Sequence, residues 1–136
     1  MILYLLDHRH WIDAEYYDTK LIGIFSSRSI ALNIVERYSK LPGFCDSKFN
    51  FHIETFDVSQ NKKKIKKGTI YLLTTTQVLD DDEITVSYRL YTNIFLAKLT
   101  QIIKSIVLRG KSEKKLYLSQ HCIDRADWSE GFVSMN

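Results

Sequence analysis

Three apolar blocks recur in the same order along this chain, and that repetition restricts its fold more than any other feature. Ile2-Leu3-Tyr4-Leu5-Leu6 is echoed by Thr69-Ile70-Tyr71-Leu72-Leu73 (69 − 2 = 67). Ile24-Phe25-Ser26-Ser27 is echoed by Leu90-Tyr91-Thr92-Asn93 (90 − 24 = 66), with Ala31 falling on Ala97. Phe51-His52-Ile53 is echoed by Leu116-Tyr117-Leu118 (116 − 51 = 65). An offset that shrinks by one residue per block is what small loop deletions leave between two diverged copies of one unit.

Each copy reads as ββαβ. A short apolar strand opens it, over 2–7 and 69–75, and a polar loop follows. A second strand near 20–26 or 84–91 is rich in β-branched and aromatic residues. The first helix has Ser27 as its N-cap, and Ile30, Ala31, Ile34, Val35, Tyr38 and Leu41 fall on one face. Pro42-Gly43 stops it. The second helix has Asn93 as its cap, Phe95, Leu99, Ile102, Ile103 and Ile106 as the stripe expected to face the sheet, and Gly110 as its stop. Strands near 50–58 and 115–123 close the units. One helix and three strands can hardly cover both faces of a sheet, so the two units are expected to pack together. The expected fold is therefore α+β: two divergent ββαβ repeats forming one pseudo-twofold domain, with a largely antiparallel sheet and two helices. Repeat one spans 1–59, a basic linker 60–68, repeat two 69–124 and a C-terminal clasp 125–136.

With 136 residues and 45% apolar composition, the chain is long enough to bury a core without staples. No stretch approaches the ~20 apolar residues of a membrane span, and Asp7 and His8 interrupt the N-terminal apolar run too early for a secretory signal. Cys45 and Cys122 lack any spacing pattern, which fits reduced thiols and a cytoplasmic location. The net charge of +3 is local: Lys62, Lys63, Lys64, Lys66 and Lys67 supply +5, and the rest of the chain carries 3 − 5 = −2.

A family resemblance runs through several of these segments. Tyr4-Leu5-Leu6-Asp7-His8, Lys20-Leu21-Ile22-Gly23-Ile24-Phe25-Ser26-Ser27 with Ala31, Leu41-Pro42-Gly43-Phe44, Phe51-His52-Ile53 and Trp128-Ser129-Glu130-Gly131-Phe132 resemble the pattern of a family of small bacterial domains of unknown function. The resemblance covers 1–58 and 124–133 and implies the ββαβ fold rather than an activity. In the family the Trp motif soon follows the third strand; here repeat one lacks it and repeat two supplies it. In size and style the chain is also similar to immunity proteins of interbacterial toxin systems, including contact-dependent growth inhibition.

The acidic and aromatic residues between the first and second strands form the candidate partner-binding surface. In repeat one these are Asp13, Glu15, Tyr16, Tyr17 and Asp18; in repeat two they are Asp80, Asp81, Asp82 and Glu83. Carboxylates steer association with a basic partner, and tyrosine supplies contact area at little entropic cost. The bland reading of both is a solvated loop. His8 and His10 share one face of an extended segment, and Asp7, Asp13 and His52 would have to complete a metal site; a polar loop start is the better reading, and no metal is assigned. The Lys62–Lys67 run would grip phosphates, yet it has neither interleaved aromatics nor arginine, as a solubilising linker would not. Trp128 and Phe132 are expected to dock on the core, with Gly131 in a φ > 0 turn.

No nucleophile elbow, reactive-thiol motif or glycine-rich phosphate loop is present, and no catalytic residue or cofactor is assigned. The resulting expectation is a non-catalytic binding module, an immunity protein covering the active site of a bacterial toxin domain, present as a monomer or weak dimer. The alternative is a nucleic-acid-associated regulator using Lys62–Lys67.

Overall fold

The computed structural model describes residues 1–11, 17–45, 50–58, 68–79, 82–108 and 113–131. Along them run β1 (Ile2–Trp11), β2 (Tyr17–Phe25), α1 (Arg28–Tyr38), β3 (Phe51–Asp57), β4 (Thr69–Leu79), β5 (Asp82–Tyr91), α2 (Ile94–Val107) and β6 (Lys114–Cys122). The fold is α+β, with two three-stranded antiparallel sheets ordered β2-β1-β3 and β5-β4-β6. Each opening strand lies in the middle of its sheet. That placement explains why Leu5-Leu6 and Leu72-Leu73 are apolar on consecutive positions: a central strand can bury both of its faces.

The chain divides into two compact units. One consists of Ile2–Asp57 together with Ile123–Asn136; the other consists of Met1 and Val58–Cys122. The C-terminal segment thus belongs with the first repeat, from which more than sixty residues separate it in sequence.

In the first unit, Leu6, Ile22, Phe25, Ala31, Ile34, Tyr38 and Phe44 form the core, flanked by Ile30, Val35, Leu41, Phe51 and Ile53. The α1 face expected from sequence is the buried face. Ser27 caps the helix by accepting the Ile30 N–H at 3.2 Å. Beyond Tyr38 the chain turns through Pro42 to Gly43, whose φ of 84° favours glycine. A bulge in β2, where Leu6 pairs with Gly23 but Asp7 pairs with Leu21, turns Ile22 into the core beside Phe25.

Residues 124–127 run antiparallel along the outer edge of β2. The Asp124 and Asp127 N–H groups donate to the Ile24 and Ile22 carbonyls at 2.8 and 2.7 Å. Between them Gly23 bridges to Ala126, and a Cβ at Gly23 would stand 2.6 Å from the Arg125 carbonyl oxygen. Ser26 donates from N and Oγ to the two Asp124 carboxylate oxygens at 2.8 and 2.7 Å. This addition satisfies an edge that would otherwise offer unpaired backbone groups.

Three sequence expectations are corrected. The polar loop expected from His8 is strand: β1 continues to Trp11, and the fully buried His8 ring meets Phe44 and Phe51 edge-on at 5.0 and 4.9 Å. Its imidazole serves as an aromatic packing group. Trp128 does not dock in the core; it is 42% exposed, with the Lys20 ammonium 5.9 Å from its ring centroid. Gly131 does take the expected turn, at φ 80°, donating its N–H to the Trp128 carbonyl at 2.8 Å. Phe132 lies outside the described residues.

The third correction concerns α2. Asn93 caps it as expected, accepting the Phe95 N–H at 2.8 Å. The apolar stripe, however, is not the side that meets its own sheet: Phe95 is 78% exposed, Leu96 46%, Leu99 54%, Ile102 57%, Ile103 53%, Ile106 58% and Val107 73%. Ala97 is fully buried, and Thr100, Gln101 and Lys104, on the same side of the helix, are half-buried. Helical periodicity located the stripe correctly; the side of the helix that meets the sheet is the other one.

Candidate functional site

The second hairpin end carries the best-defined polar cluster on the acidic-aromatic surface. Residues of three strands meet there: Thr76 of β4, Glu83 of β5 and Tyr117 of β6. Strand register explains the meeting. Glu83 pairs with Val78 and Tyr117 with Thr74, so alternation puts both side chains on the β4 face that carries Thr76. The Thr76 hydroxyl donates to Glu83 Oε1 at 2.5 Å, and the Tyr117 hydroxyl donates to the same oxygen at 2.6 Å.

These two donors stabilise the ionised form. They hold the Glu83 carboxyl below its ordinary range, Thr76 first and Tyr117 second, with the Lys115 ammonium adding a smaller pull in the same direction. The reciprocal effect raises the Tyr117 phenol, because losing its proton would set an anion against the Glu83 carboxylate it now donates to. Glu83 is solvent-exposed and the Tyr117 ring is 45% exposed, whereas Thr76 is buried. The cluster therefore presents a fixed negative charge beside an accessible aromatic ring.

Of the other residues expected in this surface, Asp80 and Asp81 lie outside the described residues, and Asp82 enters the first position of β5. In the first repeat, Asp13, Glu15 and Tyr16 lie outside the described residues, and Tyr17 opens β2. Asp18 is the second residue of β2 rather than a loop residue. Its Oδ1 accepts the Thr19 N–H at 3.0 Å, and its Oδ2 lies 3.6 Å from the Lys20 ammonium. The Lys62–Lys67 run also lies outside the described residues.

The histidine and carboxylate residues considered for a metal are split by the strands that hold them. His8 faces the aromatic core, while Asp7 and its cross-strand partner His52 occupy the opposite side of β1. There the buried Asp7 carboxylate has the Arg9 Nε at 3.5 Å and the His52 Nδ1 at 3.7 Å. Arg9 Nη2 lies 3.0 Å from the same Nδ1. A guanidinium only donates, so Nδ1 is the accepting, unprotonated nitrogen and Arg9 is the counter-ion of Asp7. A carboxylate buried in a sheet needs such a cation to remain charged. Among the described residues no group of three or more His, Cys, Asp or Glu side chains is placed to hold a metal ion. Cys45 and Cys122 are exposed and form no disulfide. Among the described residues no helix is long and apolar enough to cross a membrane.

No protein-family model, curated protein or solved structure matches this chain. The roles of its residues therefore rest on their own geometry.

Sequence reasoning found Glu83 but missed Thr76 and Tyr117 as its donors. Each falls on an ordinary strand position, and only the β4–β6 register brings Tyr117, 34 residues away, to Glu83. It likewise missed the outward face of α2. There the signal was available: with the caps aligned (93 − 27 = 66), the positions of buried Ile34 and Tyr38 and partly buried Val35 become Thr100, Lys104 and Gln101.

Proposed function

We propose that this chain is a non-catalytic protein-binding module, an immunity protein that acts in the bacterial cytoplasm by covering the active site of a toxin domain. The observation that supports this reading is the Glu83 carboxylate, fixed by Thr76 and Tyr117 at the end of the second hairpin. A charge already held in place loses little freedom on docking, and a depressed pKa keeps it ionised wherever cells live. The neighbouring sequence, Asp80-Asp81-Asp82, extends the same sign of charge. Together they would complement a basic cleft such as a nuclease's substrate groove, while the Tyr117 ring supplies area that can be desolvated.

The test is to exchange Asp80, Asp81 and Asp82 for Asn and Glu83 for Gln, which preserves shape and removes charge. Binding would be measured against a toxin domain from whose action the native chain is first found to protect cells, at low and at high salt. The expected result is an intact fold with association slowed ~10-fold or more at low salt, the difference shrinking as salt screens the charges. Full affinity and full protection of toxin-exposed cells by the exchanged chain would remove this surface from the reading.

A further inference from the structure

The outward face of α2 is the largest feature that the binding reading leaves unused. Monomeric proteins rarely expose contiguous apolar patches beyond a few hundred Å². The fractional exposures of Phe95, Leu96, Leu99, Ile102, Ile103, Ile106 and Val107, applied to side chains of roughly 150–200 Å², leave about 630–840 Å² uncovered, a range that reaches the roughly 800 Å² each partner contributes to a standard-size interface.

The repeat shows that this face is a departure from the chain's own pattern. With Ser27 and Asn93 as matching caps, Ala31 and Ala97 match as well, and both are fully buried. In that frame the positions of Ser29, Asn33, Glu36 and Arg37 on α1 become Phe95, Leu99, Ile102 and Ile103 on α2. Four polar positions have become large and apolar, while three core positions have become Thr100, Gln101 and Lys104. Divergence without a use for the face would not be expected to exchange the two sides of a helix so completely.

We propose that this face pairs with the same face of a second copy of the chain. Phe95, Leu99, Ile102 and Ile106 are spaced 4, 3 and 4 apart, the alternation of a two-helix seam, with Leu96 and Ile103 beside it. Such a seam is self-complementary about a twofold axis, and the 14 residues of α2, at about 1.5 Å each, give it a length of about 21 Å. No seam residue is charged and α2 contains no acid, so a second copy brings no unpaired charge into the centre. Lys98 is the one exposed cation of α2, fewer than the lysine-rich polar face by which interfacial helices hold anionic lipid. The area and the seam thus favour a second copy over a membrane surface. None of these α2 residues belongs to the Glu83 cluster, and the proposal is tested without any toxin.

Sedimentation equilibrium on the full chain reads the proposal directly. The native chain is expected at twice its 16.0 kDa mass at micromolar concentrations. Ile102 lies near the midpoint of α2, so in a twofold pair it approaches its own counterpart. Ile102→Glu and Ile102→Lys are each expected to weaken pairing at least ~100-fold, because each buries a charge, with unchanged circular dichroism. Mixing the two variants should restore the double mass. Should either misfold, Phe95→Glu, at the most exposed position, gives the same reading. A native chain of single mass at every concentration overturns the proposal, whether or not it binds anionic vesicles, and so does double mass retained by a folded charged variant.

Discussion

Helices α1 and α2 hold matching places in their units, each after a second strand and a polar cap, yet they offer opposite surfaces to the sheet. α1 lays Ala31, Ile34 and Tyr38 into a core closed by Phe25 and Phe44 and leaves Ser29, Asn33 and Glu36 outside. α2 buries Ala97, half-buries Thr100, Gln101 and Lys104, and leaves its large side chains in solvent. Thr100 and Ser105 turn their hydroxyls onto the helix's own Leu96 and Gln101 carbonyls, at 2.9 and 2.7 Å, so they need no partner from the sheet. The difference teaches that one backbone plan tolerates either surface. The first unit's sheet has a helix seated through a packed core; the second unit's helix keeps its apolar area for use elsewhere.

Truncation of an aromatic residue breaks the comparison most sharply. Phe44→Ala removes a ring that touches His8, Tyr38 and Phe51 and is expected to cost ~3–5 kcal/mol, read from urea denaturation. Phe95→Ala on α2, studied at high dilution, is expected to change stability by no more than ~0.5 kcal/mol. Equal costs would mean that α2 is packed like α1.

A smaller effect separates the second strands. Gly23 faces the Arg125 carbonyl of the returning chain end, and its counterpart (23 + 66 = 89) is the exposed Arg89. Gly23→Ala should cost ~1–3 kcal/mol by overpacking and speed amide exchange at Asp124 and Asp127. Arg89→Ala should leave both stability and exchange near their native values. Unchanged protection in Gly23→Ala would show that the edge pairing yields without cost.

The smallest effect lies at Glu83 and is one of pH. A carboxyl with a depressed folded pKa contributes stability that is complete above its unfolded value. That contribution is lost as pH falls through the lower, folded value. The Glu83 carboxyl carbon should titrate below the ordinary 4.5, and Thr76→Val combined with Tyr117→Phe should move the midpoint back up. A midpoint that ignores both substitutions would show that the hydroxyls do not bind the charge.

Much of the fold was legible because its determinants are local. Ser27 and Asn93 can cap because their side chains reach N–H groups of the following turn, and the unbroken apolar pairs Leu5-Leu6 and Leu72-Leu73 announce central strands wherever they pair. The site was less legible. Its acidic residues could be named, but the donors to Glu83 depend on a strand register that no short stretch encodes, and His8 was read as loop because its aromatic neighbours are distant in sequence.

By itself, then, the sequence determined the ββαβ repeat, the caps and turns, and the angle of each apolar stripe around its helix. Only the tertiary structure decided which side of α2 meets the sheet, which repeat receives the chain end, and which hydroxyls hold Glu83. The reason is that periodicity fixes directions relative to one helix or strand axis. What lies in a given direction is set by pairings between segments far apart in the chain, and their energy appears only once both segments are in place.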